Sequence, residues 1–207
     1  MRTCLDAGCG PGIITDELAQ HFQTIFGVDV DPAGVRWAQS HALNGAVFAR
    51  GSATRLPIAS GSVDIVICAQ VYEHLLDKRA LAAEIWRVLR PGGVCFFSGP
   101  NKYTVMEEHY WLPFLSWLPQ PLADAYMRFF RKGPVYDVWP WPYWRLRQLW
   151  GAFRLQDYTV TMLRDPRRFA VAEVVGKMGW ISALPDWAFR LLLPLLPNYN
   201  WILTKPA

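Results

Sequence analysis

Leu5-Asp6-Ala7-Gly8-Cys9-Gly10-Pro11-Gly12 is the stretch on which the rest of the chain turns. A short apolar strand, Arg2 to Asp6, runs into three glycines at alternate positions, and Ile13 to Phe22 then reads as a helix. Glycines keep side chains out of the way and allow a tight turn, so a ligand can lie against main chain. The start of the helix offers free N–H groups to a negative ligand group. The dinucleotide fingerprint G-x-G-x-x-G is not met, because Ile13 stands where its third glycine belongs. That argues against a nicotinamide or flavin enzyme.

Outward from the loop, strand and helix signals alternate. Thr24 to Val30 is a β-branched strand, Pro32 to Leu43 a helix with Asp31 as N-cap, and Ala46 to Ala49 a short strand. Val63 to Ala69 is a near-continuous apolar run, as a central parallel strand should be. Lys78 to Leu89 is helical and stops at Arg90-Pro91-Gly92-Gly93, and Val94 to Ser98 is another buried strand. This pattern predicts an α/β, doubly wound, Rossmann-like sheet, mostly parallel and seven-stranded with the last strand antiparallel. Beyond residue 100, prolines and aromatics predict short helices and loops over 101–142. Tyr143 to Phe153 reads as a helix, Arg154 to Leu163 as a sixth strand, 164–197 as a second helical insertion and Tyr199 to Thr204 as the final strand. The chain is read as a single domain, 1–207, with a ligand-binding half at 1–100 and apolar, basic lid insertions at 101–142 and 164–197.

The halves differ in charge. Residues 1–100 carry 8 Lys/Arg against 9 Asp/Glu, and residues 101–207 carry 13 against 8. Nine of the eleven Trp also follow residue 100. A basic, aromatic half suits an anionic interface: lipid headgroups, nucleic acid or an acidic small molecule. A solvated basic face over a Trp-rich core is the plain alternative. Cys4, Cys9, Cys68 and Cys95 form no CxxC pair and read as reduced core thiols of a cytoplasmic protein. Met1 leads directly into the motif, so no leader is expected, and no apolar run of about 18 residues predicts a membrane span.

Asp29 ends the second strand about 20 residues after the loop, where a carboxylate can accept both ribose hydroxyls. Gly51-Ser52-Ala53-Thr54-Arg55-Leu56-Pro57 follows the third strand and places Ser52 and Ala53 at an adenine edge. With these elements the chain resembles the class I S-adenosylmethionine-dependent methyltransferases, of the subgroup that includes the ubiquinone/menaquinone-biosynthesis enzymes. The resemblance runs over residues 2–100. Asp6-x-Gly8-x-Gly10-x-Gly12 is similar to the family's first motif and Gly27-Val28-Asp29 to its ribose-binding strand end. Leu56-Pro57, Val63-Asp64-Ile65-Val66, Glu73-His74 and Leu89-Arg90-Pro91-Gly92-Gly93 follow in the family's order. The resemblance implies that S-adenosylmethionine is held by Asp6, Gly8, Cys9, Gly10, Gly12, Asp29, Val30, Ser52, Ala53 and Gln70. Three departures stand out. The family usually has Asp where this chain has Ser52. Some quinone-type relatives bind a metal through a Glu three residues before the Glu-His pair; Gln70 stands there, so no metal is expected. The family usually has a helical segment ahead of the first strand. Here either the start is truncated or the two insertions supply the cover.

Methyl transfer from a sulfonium is mostly a matter of holding the acceptor atom in line, with a base needed only when that atom carries a proton of high pKa. His74 and His109 are the candidate catalytic residues. Asn101, Tyr110 and Trp111 are the candidate substrate contacts. Trp111 to Leu118 and Trp187 to Leu196 are too apolar for exposed loops. The expected substrate is therefore a small, apolar or lipid-like acceptor, with the protein peripheral at a membrane surface. RNA or protein methylation is the alternative, disfavoured because no recognition module is visible. A non-catalytic binding protein retaining the fold is a further one.

Overall fold

The computed structural model describes residues 2–169, 171 and 184–207. Strands β1 (Thr3–Ala7), β2 (Thr24–Asp29), β3 (Val47–Arg50), β4 (Val63–Ala69) and β5 (Leu89–Pro100) are parallel, with β1 between β2 and β4. A two-residue hairpin, β6 (Met106–Glu107) and β7 (Leu112–Pro113), follows β5. Then come β8 (Arg154–Asp157) and β9 (Asn198–Thr204), with β9 antiparallel to both β5 and β8. Among the described residues the large sheet has seven strands in the order β3-β2-β1-β4-β5-β9-β8. It is the doubly wound, mostly parallel sheet with an antiparallel last strand that the sequence predicts. The strand order reverses between β1 and β4, so their carboxyl ends flank the crevice where ligands of such sheets bind.

The helices are α1 (Ile13–Leu18), α2 (Pro32–His41), α3 (Lys78–Val88), α4 (Gln120–Phe129), α5 (Tyr143–Leu149), α6 (Thr159–Arg164) and α7 (Asp186–Leu192). Asp31 caps α2 through Ala33 N at 2.9 Å and Gly34 N at 2.9 Å, with Pro32 opening the helix. On α3, Leu81, Ala82, Ile85 and Val88 recur at helical spacing and turn inward. They join Leu5, Val66, Phe97, Trp150 and Trp201 in the main core. Burying each large apolar side chain there stabilises by about 1.5–3 kcal/mol.

Two expectations change. The sixth strand stops at Asp157 instead of running to Leu163. Asp157 Oδ1 accepts the Thr159 N–H at 2.9 Å and the chain turns into α6, where Thr159, Val160 and Leu163 reach the core at helical spacing. The inward face of this helix is Thr159, which is buried, with Val160 and Leu163 partly so. The glycine turn ahead of the fifth strand lies within β5 as an irregularity. Leu89 pairs with Val63, the register shifts, and Ile65 pairs with Val94.

Residues 101–142 build a second small core of Leu112, Leu115, Ala123, Met127, Tyr136 and Val138. The other apolar segment is described only in part, since residues 170 and 172–183 of 164–197 lie outside the described residues. Among the described residues no helix is long and apolar enough to cross a membrane.

Candidate active site

The glycine loop leaves the carboxyl end of β1. Gly8, Gly10 and Gly12 have φ of +89°, +52° and +75°. A Cβ on Gly8 would lie 2.3 Å from Val71 Cγ2, so the chain after β4 packs directly on the loop. A Cβ on Gly10 would meet nothing within 4 Å. Gly10 therefore faces open space while its N–H points the other way, to Asp29 Oδ2 at 2.8 Å. Asp29 Oδ1 accepts the Asp31 N–H at 2.8 Å. Two main-chain donors thus fix the Asp29 carboxylate, and each oxygen keeps a further lone pair for an incoming hydroxyl.

Beneath the loop lies Asp6. It is 6% exposed, and its Oδ2 accepts Thr15 Oγ1–H at 2.6 Å. Burial pushes its carboxyl up to about 6, against the Thr15 hydrogen bond, and the Asp29 charge adds to the rise. Two carboxylates therefore frame the loop, and its Asp6–Gly12 stretch contains no Lys or Arg. That field suits a cationic ligand and opposes a phosphate.

The remaining cofactor candidates divide. Cys9 N–H donates to Val28 O at 3.2 Å, and burial raises its thiol pKa to about 12, so it stays a thiol. Val30 is exposed beside Asp29. Ser52 turns its hydroxyl inward, 2.8 Å from Thr54 Oγ1, and Ala53 is buried. The segment after Ser52 is clamped from α3. Glu84 Oε2 accepts Leu56 N–H at 2.6 Å, and Arg87 donates to Leu56 O and Ile58 O. Gln70 takes a left-handed φ of +56°, and its side chain reaches Asn198 Oδ1 at 3.1 Å.

That bend at Gln70 sends the chain through Val71 into a single turn, Tyr72–His74. Glu73 is fully buried, and among the described residues neither carboxylate oxygen has a hydrogen-bond partner. Burial raises its pKa to about 7. Lys78, 2% exposed under the Tyr72 and Trp141 rings, is pushed down to about 8 by burial, with Glu73 opposing. His74 meets His109 edge to face, ring centroids 5.1 Å apart. His109 Nδ1 lies 2.9 Å from Glu107 Oε1, and that hydrogen bond raises the imidazole's pKa. Burial lowers the His74 pKa. The two catalytic candidates, 35 positions apart in the chain, therefore meet on the loop side of the sheet.

The three proposed substrate contacts do not behave alike. Asn101 is fully buried. Its Nδ2 donates to Pro194 O at 2.8 Å and Leu196 O at 3.0 Å, and its Oδ1 accepts Tyr103 N–H. Both N–H groups of this amide are used and the side chain is fully buried, so Asn101 serves as a staple between two segments. Tyr110 donates its hydroxyl to Asp137 Oδ1, while Trp111 is 71% exposed. Sequence reasoning missed Thr15, Val71, Glu84, Arg87 and the orienting role of Glu107. A carboxylate at 107 two residues from His109 was the one legible sign. A groove of about 520 Å³ between α3 and α5, lined by Arg79, Trp86, Trp141 and Arg145, includes no residue of the glycine loop.

Comparison with known proteins agrees with this geometry. Residues 5–97 match the family described as methyltransferase domain. A Mycolicibacterium smegmatis protein named "Probable S-adenosylmethionine-dependent methyltransferase" is 42% identical over 104 residues, 50% of this chain and 40% of that protein. A Pseudomonas fluorescens ubiquinone biosynthesis O-methyltransferase is 33% identical over 108 residues, 49% of this chain and 45% of that protein. The chain thus spans less than half the length of these curated relatives. The Mesorhizobium loti S-adenosylmethionine-dependent methyltransferase structure shares the fold at a TM-score of 0.64 and 15% identity, covering 99% of this chain and 91% of that one. The Bacillus subtilis YcgJ structure does so at 0.58 and 18%, covering 100% and 92%.

Proposed function

We propose that this chain, which over residues 5–97 belongs to the class I S-adenosylmethionine-dependent methyltransferases, transfers a methyl group to a small apolar acceptor. The observation that carries the reading is the loop itself. It presents open main chain at Gly10, a carboxylate locked at Asp29 and an anionic frame with no cation among its own residues. This chemistry fits a ligand with a ribose and a positive charge, and S-adenosylmethionine has both, in its adenosine and its sulfonium. When bound, the cofactor supplies a methyl group on a leaving group already activated.

The protein's task is then positioning. Asp29 orients the ribose, and Gly8 and Gly10 let the ligand approach the backbone. Ser52 and Ala53 border the adenine, and the Glu84–Arg87 clamp holds that border in place. On the acceptor side, Val71 packs on the loop at Gly8, His74 follows it in the same turn, and His109 meets His74. For an acceptor with a hydroxyl, an imidazole there takes the proton as the oxygen attacks the methyl carbon.

We further propose that 101–142, with the described part of 164–197, covers the acceptor. Phe129 at 79% exposure, Phe130, Trp111, Leu122 and Leu191 are exposed apolar residues, and Arg128, Arg131 and Lys132 flank the Phe pair. Aromatic and basic residues side by side suit a membrane surface from which an apolar acceptor is drawn.

Calorimetry with S-adenosylmethionine and its demethylated thioether tests the core of this reading. Micromolar binding that falls at least tenfold in Asp29→Ala is expected. No binding by the folded chain, or binding indifferent to Asp29→Ala, defeats it. Co-sedimentation with anionic vesicles, lost in a Phe129→Ser/Phe130→Ser double variant, tests the membrane contact separately.

A further inference from the structure

We infer that Glu73, His74 and His109 form a binding site for a transition-metal ion, zinc or a close analogue. Each residue offers one ligand atom, and the three atoms lie within 4.8 Å of one another. Tetrahedral zinc with bonds of about 2.0–2.1 Å holds its ligands about 3.4 Å apart, so side-chain shifts that close the widest separation by up to about 1.4 Å bring this trio into place. The expectation of no metal rested on Gln70. The structure supplies a ligand that Gln70 does not bear on, His109, brought to the Glu-His pair from the segment after β5.

Glu73 is what makes this more than a chance cluster. A fully buried carboxylate with neither oxygen partnered is among the least favourable arrangements a fold can hold. Buried carboxylates without a hydrogen-bond partner call for a cation. Lys78, the nearby buried amine, is already committed to Leu75 O and to two aromatic faces. The Tyr136 hydroxyl, also buried and unpartnered, belongs to the same electrostatic neighbourhood.

The outer shell is in place as well. Glu107 is 3% exposed. Its Oε1 engages His109 Nδ1 and its Oε2 accepts the Tyr110 N–H at 2.7 Å. With Nδ1 donating, Nε2 carries the lone pair. A carboxylate fixing the far nitrogen of a ligating histidine is the usual support of such sites. Two imidazoles and one carboxylate favour zinc, cobalt or iron over magnesium, which prefers an all-oxygen set. Three protein ligands leave a position open, where a metal ion would act as a Lewis acid on an acceptor hydroxyl and so take over the proton-accepting role given above to a free imidazole. That last role rests on the methyl-transfer reading; the site itself does not.

The test uses the whole chain, stripped with a chelator and dialysed against zinc chloride, with metal content measured per chain. One zinc per chain is expected, retained against millimolar magnesium. Cobalt(II) in its place should give visible absorption bands with imidazole ligation. His109→Ala, on a solvent-accessible ring, should weaken zinc binding at least tenfold with an unchanged circular-dichroism spectrum, and His41→Ala should change nothing. Glu73→Gln should do as His109→Ala does if it folds, and His74→Ala repeats the test if it does not. Zinc bound well below one per chain, or binding that survives His109→Ala, overturns the site. S-adenosylmethionine titration of the same samples keeps this outcome separate from the fate of the methyl-transfer reading.

Discussion

Asp6→Asn is the substitution that most directly probes the glycine loop. Burial raises the Asp6 pKa from 3.8 to about 6, so the folded state holds this proton more tightly than the unfolded chain does. For a carboxyl shifted upward, the stabilising contribution is full below the unfolded pKa and is lost as pH rises through the folded one. Over a shift of about two units, that is about 3 kcal/mol of stability lost between pH 3 and pH 8, and about 1.5 kcal/mol of it falls between pH 5 and pH 8. Asn keeps an oxygen to accept the Thr15 hydroxyl and cannot ionise. Its NH₂ group brings a constant cost of about 1–3 kcal/mol if unpartnered, which shifts the curve without changing its slope. The assay is urea unfolding at intervals from pH 5 to pH 8. The wild type should lose about 1.5 kcal/mol more than Asp6→Asn across that range. Parallel curves would show that Asp6 is not held in a low-polarity site. The same charge attracts a sulfonium, so Asp6→Asn should also weaken S-adenosylmethionine more than its uncharged thioether. Equal weakening of both would remove the electrostatic argument for a cationic ligand.

Other consequences follow from single residues. Gly10→Ala places a methyl in the open space over the loop at a left-handed φ; it should cost about 1 kcal/mol of stability and at least tenfold in cofactor affinity, and calorimetry showing full affinity would mean the ligand lies elsewhere. Asn101→Ala should lower stability by about 2–3 kcal/mol, read by chemical denaturation, because it leaves Pro194 O and Leu196 O without their donor. Arg87→Ala frees the 52–58 segment and should raise the dissociation constant of the cofactor several-fold with little effect on an acceptor's KM.

The sheet was legible because its strands carry the marks of burial on both faces. Val63 to Ala69 and Val94 to Ser98 are apolar without alternation, and only a central parallel strand asks for that. Asp31-Pro32 likewise named its own helix start. Residues 159–163 continue the alternation of the strand before them, and packing against β9 sets them as a helix instead. The cofactor loop could be read because its chemistry is local: the glycines and Asp29 are set by two adjacent strand ends. The acceptor side could not. Glu73 looks like a surface residue until the fold closes over it. His109 acquires its neighbours only when a segment 35 positions away returns to the end of β4. Asn101 reads as a substrate contact in sequence because it is a polar residue at a strand end, and nothing nearby in sequence indicates the carbonyls of 194 and 196.

Those carbonyls define the unit in which this protein can change. The amide of Asn101 ties the root of one segment to the base of the other, and the Asn101 N–H to Pro197 O bond at 2.7 Å doubles the tie. An exchange of acceptor specificity between relatives, whether by recombination or in the laboratory, therefore has to carry residues 101–142 and 194–197 together. A graft of either one alone inherits a joint without its mate.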